Sequence, residues 1–133
     1  MKIEIEVSVT APLSAVWNAW VHPIDIQQWN VATKDWCCPS AEIDLTVGGE
    51  FSYRMEEENG SMGFDFKGIF THIENERLIK FTLDDGREVA VEFTDQNGGV
   101  TVKETFETEN QNPPELQRQG WLSILERFKA HVE

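Results

Sequence analysis

Cysteine is nearly absent from this sequence: two occur, side by side as Cys37-Cys38. Bridging neighbours closes a strained small ring that distorts the peptide, so a disulfide framework is excluded. That pair has no zinc-chelating spacing either, and His22, His72 and His131 stand isolated along the chain, so no metal site is expected. Positive charge is the next shortage. Lys and Arg number 11 against 24 Asp and Glu, a formal net charge of −13 over 133 residues, which repels nucleic acid and anionic bilayers alike. No run approaches the ~20 apolar residues of a spanning helix. The N-terminus alternates (Lys2, Ile3, Glu4, Ile5, Glu6, Val7) where a signal peptide would be continuously apolar. The expectation is one cytoplasmic domain spanning residues 1–133, with neither nucleic acid nor membrane as partner. Phosphate loop, nucleophile elbow and dinucleotide fingerprint are missing too, and no cofactor is expected.

What is present is periodicity. Ile3, Ile5, Val7 and Val9 alternate with polar residues, the pattern of a half-buried strand. Pro12 suits a first helical turn, and Val16, Trp17 and Trp20 share one face of a helix predicted over 12–21. Residues 23–30, with Ile24, Ile26 and Trp29, read as one or two further turns. Strands are predicted at 42–46, 50–57, 62–73, 77–84, 87–95 and 99–107. Gly48-Gly49, Asn59-Gly60, Asp84-Asp85-Gly86 and Asn97-Gly98-Gly99 supply turns between them. Beyond Asn110 the period becomes helical: Leu116, Trp121, Ile124, Leu125, Phe128 and Val132 form one stripe. Asn112 reads as N-cap, Pro113 as first helical residue and Glu115 as capping-box acid. Gly120, unfavourable inside a helix, suggests a close neighbour.

The final helix, about 20 residues and ~30 Å long, matches strands of about eight residues at ~26 Å. Seven antiparallel strands twist and curve around such a helix, with the two short N-terminal helices closing one end. The inward face would carry Phe51, Tyr53, Met55, Phe64, Phe66, Ile79, Phe81, Leu83, Val89, Val91, Phe93, Val100, Val102 and Phe106. One helix must cover all of them. The result is either a filled core closed by Trp17, Trp20, Trp29 and Trp121 or a residual apolar cavity, and the pattern leaves both open.

The order of elements, together with APLSAVWNAW, Trp29, WCCPSAEIDLTVGGEFSYRME, GFDFKG and NPPELQRQGWLSILERFKAHVE, resembles the START-like (SRPBCC) superfamily. Within it the chain is most similar to the bacterial branch related to the C-terminal domain of the activator of the ninety-kilodalton heat-shock protein ATPase. The resemblance covers nearly the whole chain. It implies an α+β helix-grip fold, often with an apolar cavity between sheet and long helix, in a superfamily of diverse functions. By that resemblance, Cys37 and Ile43 stand where relatives tend to have His and Asn, which argues against shared polar chemistry at that loop.

Glu104 interrupts the apolar alternation of Val100, Val102 and Phe106. It reads either as a polar anchor or general acid/base inside a pocket, or as a strand-end residue that reaches water. His72 shares parity with Phe64, Phe66 and Phe70, but a bulge at Gly68 would turn it outward. The cysteines, beside Asp35, Glu42 and Asp44, read as small apolar residues rather than reactive thiols, and Asp44 as a loop cross-link.

Three functions compete. The first is non-enzymatic binding of a small hydrophobic molecule, a lipid or an aromatic, polyketide-like metabolite. Its expected contacts are Phe51, Tyr53, Phe64, Phe66, Phe81, Phe93, Phe106, Trp121, Leu125 and Phe128, with Glu104 orienting the ligand. The second, implied by the resemblance, is an interaction module that stimulates a chaperone ATPase. The third is a cyclase or isomerase of aromatic substrates using Glu104 and His72, which requires both side chains in one enclosed space.

Overall fold

A computed structural model describes residues 1–133. Strand β1 (Lys2–Val9) leads into helices α1 (Leu13–Val21) and α2 (Pro23–Trp29). Six strands follow: β2 (Trp36–Ile43), β3 (Glu50–Glu57), β4 (Gly63–Glu74), β5 (Leu78–Leu83), β6 (Glu88–Gln96) and β7 (Gly99–Glu107). Helix α3 (Pro114–Val132) completes the chain. The strands form one antiparallel sheet in the order β1-β7-β6-β5-β4-β3-β2, so β1 and β2 are its edges. This is the helix-grip architecture expected from the sequence.

The four glycine turns lie where the sequence places them. Gly48, Gly60, Gly86 and Gly98 all have φ between +76° and +92°, a conformation that costs a side-chain-bearing residue and suits glycine. The fifth turn, between β4 and β5, is made by Glu76 at φ 59° without a glycine to announce it.

Two elements differ from expectation. Strand β2 occupies 36–43 rather than 42–46. Its Pro39 lacks an N–H, which an edge strand tolerates, and the pairing with β3 shifts between Cys37 and Ser40. The Gln27 amide donates to the Pro39 carbonyl at 2.7 Å. Residues after Ile43 turn instead, with the Thr46 hydroxyl donating to Asp44 Oδ1 at 3.1 Å, the loop cross-link expected of Asp44. Helix α3 opens at Pro114 rather than at Pro113. A residue that precedes proline is disfavoured in helical geometry, and Pro113 stays extended at ψ 143°. Neither the Asn112 cap nor the Glu115 capping box forms.

Helix α3 lies closer to β1 than to any other strand, and it also packs on α1 and α2. Arg118 Nη1 donates to the Glu4 carbonyl at 3.0 Å, Lys129 Nζ to the Ser8 carbonyl at 2.8 Å, and the Thr10 N–H to Glu133 Oε2 at 2.9 Å. Long side chains from the helix thus take up carbonyls of an edge strand. Leu116, placed in the apolar stripe by sequence, is 56% exposed. No atom outside the helix comes within 4 Å of a Cβ built at Gly120, so the close neighbour expected there is absent.

Packing is dense where α1, α2 and α3 meet the sheet. Trp20 stacks on Trp29 at 4.8 Å, and both meet the Phe128 ring edge-on. Trp17 and Trp20 close on Phe93, and the Trp29 indole N–H donates to the Ala19 carbonyl at 2.9 Å. The helix clamped to β1 leaves the β2–β4 side of the inner face less covered.

Candidate functional site

Over that side lies a cavity of about 280 Å³, room for about nine water molecules at about 30 Å³ each. The interior is therefore part filled and part open, where the sequence had left a choice between the two. Phe51, Tyr53, Met55, Phe64, Phe66, Phe70, Ile79, Phe81 and Ile43 form its sheet wall, Trp121, Ile124 and Gln117 its α3 wall, and Trp20, Trp29 and Asn30 one end. Arg87, Glu109 and Asn112 also line it.

Of the expected contacts, Phe51, Tyr53, Phe64, Phe66, Phe81, Glu104 and Trp121 converge on this space. Phe93, Phe106, Leu125 and Phe128 do not line it. Phe93 and Phe128 belong to the tryptophan cluster, Leu125 is buried in the core, and Phe106 lies beneath Trp121, the two rings stacked at 4.2 Å and 6°. Phe64 departs from the inward row: it is 48% exposed and sits edge-on to Trp36 at 6.0 Å. Gly68 explains how the wall packs on itself. A Cβ there would lie 3.1 Å from the Phe51 ring and 2.5 Å from the Thr82 carbonyl oxygen, so bare backbone lets Phe51 lie across its partner strand.

Glu104 is 6% exposed, which excludes the strand-end reading. It pairs with Ile5 on one side and Val91 on the other, with Val102 and Phe106 two residues away along β7, all buried. No protein group hydrogen-bonds its carboxyl, and burial alone pushes its pKa up to about 8. It is a neutral acid at neutral pH, in the cavity wall. Tyr53 is likewise held neutral, its pKa raised by burial and then by the nearby Cys38.

Two polar residues of the wall escaped the sequence reading. Asn30 is buried, and its Nδ2 has no partner. It lies beside the Cys38 thiol, whose pKa is raised by burial and partly lowered again by Asn30. Gln117 is fully engaged. Its Nε2 donates to the Glu109 and Asn112 carbonyls at 3.1 and 2.7 Å, and its Oε1 accepts the Glu109 N–H at 2.9 Å. It pins the loop before α3 to the cavity wall. Gln117 stands four residues before Trp121 on the buried stripe, a spacing that marks it in the sequence.

His72 does not reach the cavity. The β4–β5 register shifts between Phe70 and His72, beyond the Gly68 bulge position considered from sequence, and His72 is solvent-facing with Nε2 2.6 Å from Glu74 Oε2. That bond holds the Glu74 carboxyl below its ordinary range. The Glu104–His72 acid/base pair therefore does not exist. Both cysteines are free, no cluster of three or more His, Cys, Asp or Glu converges on one point, and no helix is long and apolar enough to cross a membrane.

Residues 10–133 match the family model described as activator of Hsp90 ATPase homolog 1-like protein. No curated protein matches the chain. The solution structure of the AHSA1-like protein from Aeromonas hydrophila is 45% identical, covers 99% of this chain and 92% of its own, and superposes with a TM-score of 0.94. A solution structure from Cytophaga hutchinsonii is 40% identical over 99% of this chain and 92% of that one, with a TM-score of 0.86. A Nitrosomonas europaea protein at 17% identity shares the fold, with a TM-score of 0.84 over 99% of this chain and 94% of its own. By its family match and these likenesses, the chain belongs to the activator of Hsp90 ATPase homolog 1-like family.

Proposed function

We propose that this protein binds a small, largely apolar molecule without transforming it. The carrying observation is the cavity of about 280 Å³ with a mostly aromatic and aliphatic wall. A cavity of about 150 Å³ accommodates benzene, so the size here favours one- or two-ring molecules over long-chain lipids. Glu104, buried and unpaired, orients the ligand's polar group. An enzyme reading has lost the partner it needed, since His72 lies outside.

Trp20, Trp29 and Trp121 line the cavity, so their fluorescence reports on occupancy. Titration with one- and two-ring aromatics is expected to give saturable changes in emission, and a flat response across such a panel would reject the proposal. A second reading, stimulation of a chaperone ATPase, is favoured by the family match. It predicts faster ATP turnover by a bacterial chaperone of the ninety-kilodalton class, and unchanged turnover at saturating protein would dismiss it.

A further inference from the structure

Resting on the binding proposal above, we infer that the cavity selects arylalkylamines, seating the ammonium group on Glu104 and the rings among Phe51, Tyr53, Phe66 and Trp121. Two observations carry this. Glu104 is the buried charge-capable group of the wall, and no protein donor or cation satisfies it. An ammonium group that reaches Glu104 supplies the charge partner its carboxylate lacks and so favours ionisation. The aromatic side chains lining the same cavity, Phe51, Tyr53, Phe66 and Trp121, offer ring faces for cation–π attraction.

The other charged groups of the wall disfavour an acid ligand. Arg87 is taken by Asp85 at 2.8 Å and lies 3.5 Å from the Glu107 carbonyl, while Glu109 places a second carboxylate side chain at the wall and accepts from the Asn112 backbone at 2.7 Å. The net charge of −13 draws cations toward the protein and repels anions.

The groups facing Glu104 leave it free to respond. Strand β1 presents Ile5 and β6 presents Val91, while α3 lines the same cavity with Gln117, Trp121 and Ile124; none of these titrates. The remaining titratable groups of the wall are Tyr53, Arg87 and Glu109, and Cys38, outside the lining, neighbours Asn30 and Tyr53. At pH 6 to 7 an ammonium ligand meets a protonated Glu104. The carboxyl O–H bond breaks, its proton passes to the buffer, and an ammonium–carboxylate pair remains.

The test compares 2-naphthylmethylamine, 2-naphthylmethanol and 2-naphthylacetic acid by calorimetry on the full chain at pH 6, 7 and 8. The amine is expected to bind at least tenfold more tightly than the alcohol at pH 8. Its affinity should rise close to tenfold from pH 6 to 7, with about one proton released at pH 6, as measured in buffers of different ionisation enthalpy. Glu104→Gln keeps the shape of the side chain, and its fold is checked by thermal melting. It should bind alcohol and amine alike, with no pH slope. Equal affinity for amine and alcohol in the wild type, tighter binding of the acid, or an amine slope that survives in Glu104→Gln would overturn the amine proposal while leaving small-molecule binding intact. Failure of all three compounds to bind would overturn both.

Discussion

A carboxyl group walled in by Ile5, Val91, Val102 and Phe106 makes stability depend on pH with an unusual sign. The folded chain keeps the Glu104 proton up to about pH 8, whereas the unfolded chain releases it near 4.5. Between those values the native state binds more protons, so this residue's contribution is fully present below 4.5 and is lost as pH rises toward 8. Urea midpoints of the wild type should therefore fall relative to Glu104→Gln as pH rises from 5 to 8, the stability difference between the two shifting in the variant's favour by roughly 3–4 kcal/mol over that range. Parallel pH profiles for the two proteins would show that Glu104 is not desolvated. In the sequence Glu104 announced itself by breaking an alternation, although its burial was not decided there. Asn30 gave no such signal, because a polar residue at the end of a short helix looks like an ordinary cap.

Helices and strands were legible wherever local pattern dominates. Four turns carried glycine at left-handed φ, and six of the seven strands fell within a few residues of their predicted spans. Strand β2 was not legible, since Pro39 speaks against pairing and only its edge position excuses it. The start of α3 was obscured by consecutive prolines. Its glycine has now a different meaning from the one the sequence suggested. With open space around a Cβ at position 120, Gly120→Ala should stabilise the protein by about 0.5–1 kcal/mol through helix propensity. Gly68→Ala should behave oppositely. Its Cβ would press on the Thr82 carbonyl and the Phe51 ring, costing about 1–3 kcal/mol. Paired denaturation curves measure both, and the same sign for the two substitutions would contradict this account of the sheet.

At the scale of the molecule, the cavity arises from how α3 is held. Hydrogen bonds from Arg118 and Lys129 draw it onto β1, leaving aromatic side chains on the far strands with free space before them. No pattern along the chain reports the lateral position of a helix over a sheet, which is why core and cavity were indistinguishable by sequence. Filling the space should separate stability from binding. Ile124→Phe, on the α3 wall, is expected to keep or raise the melting temperature while weakening aromatic ligands at least tenfold. A variant that binds as the wild type does would place the ligand elsewhere. The most direct measurement follows amide resonances in a two-dimensional NMR titration with 2-naphthol. The account predicts saturable shifts at Phe51, Tyr53, Phe66, Glu104 and Trp121, with Phe93 and the last turn of α3 unmoved; shifts scattered over the surface, or none at saturation, would contradict it.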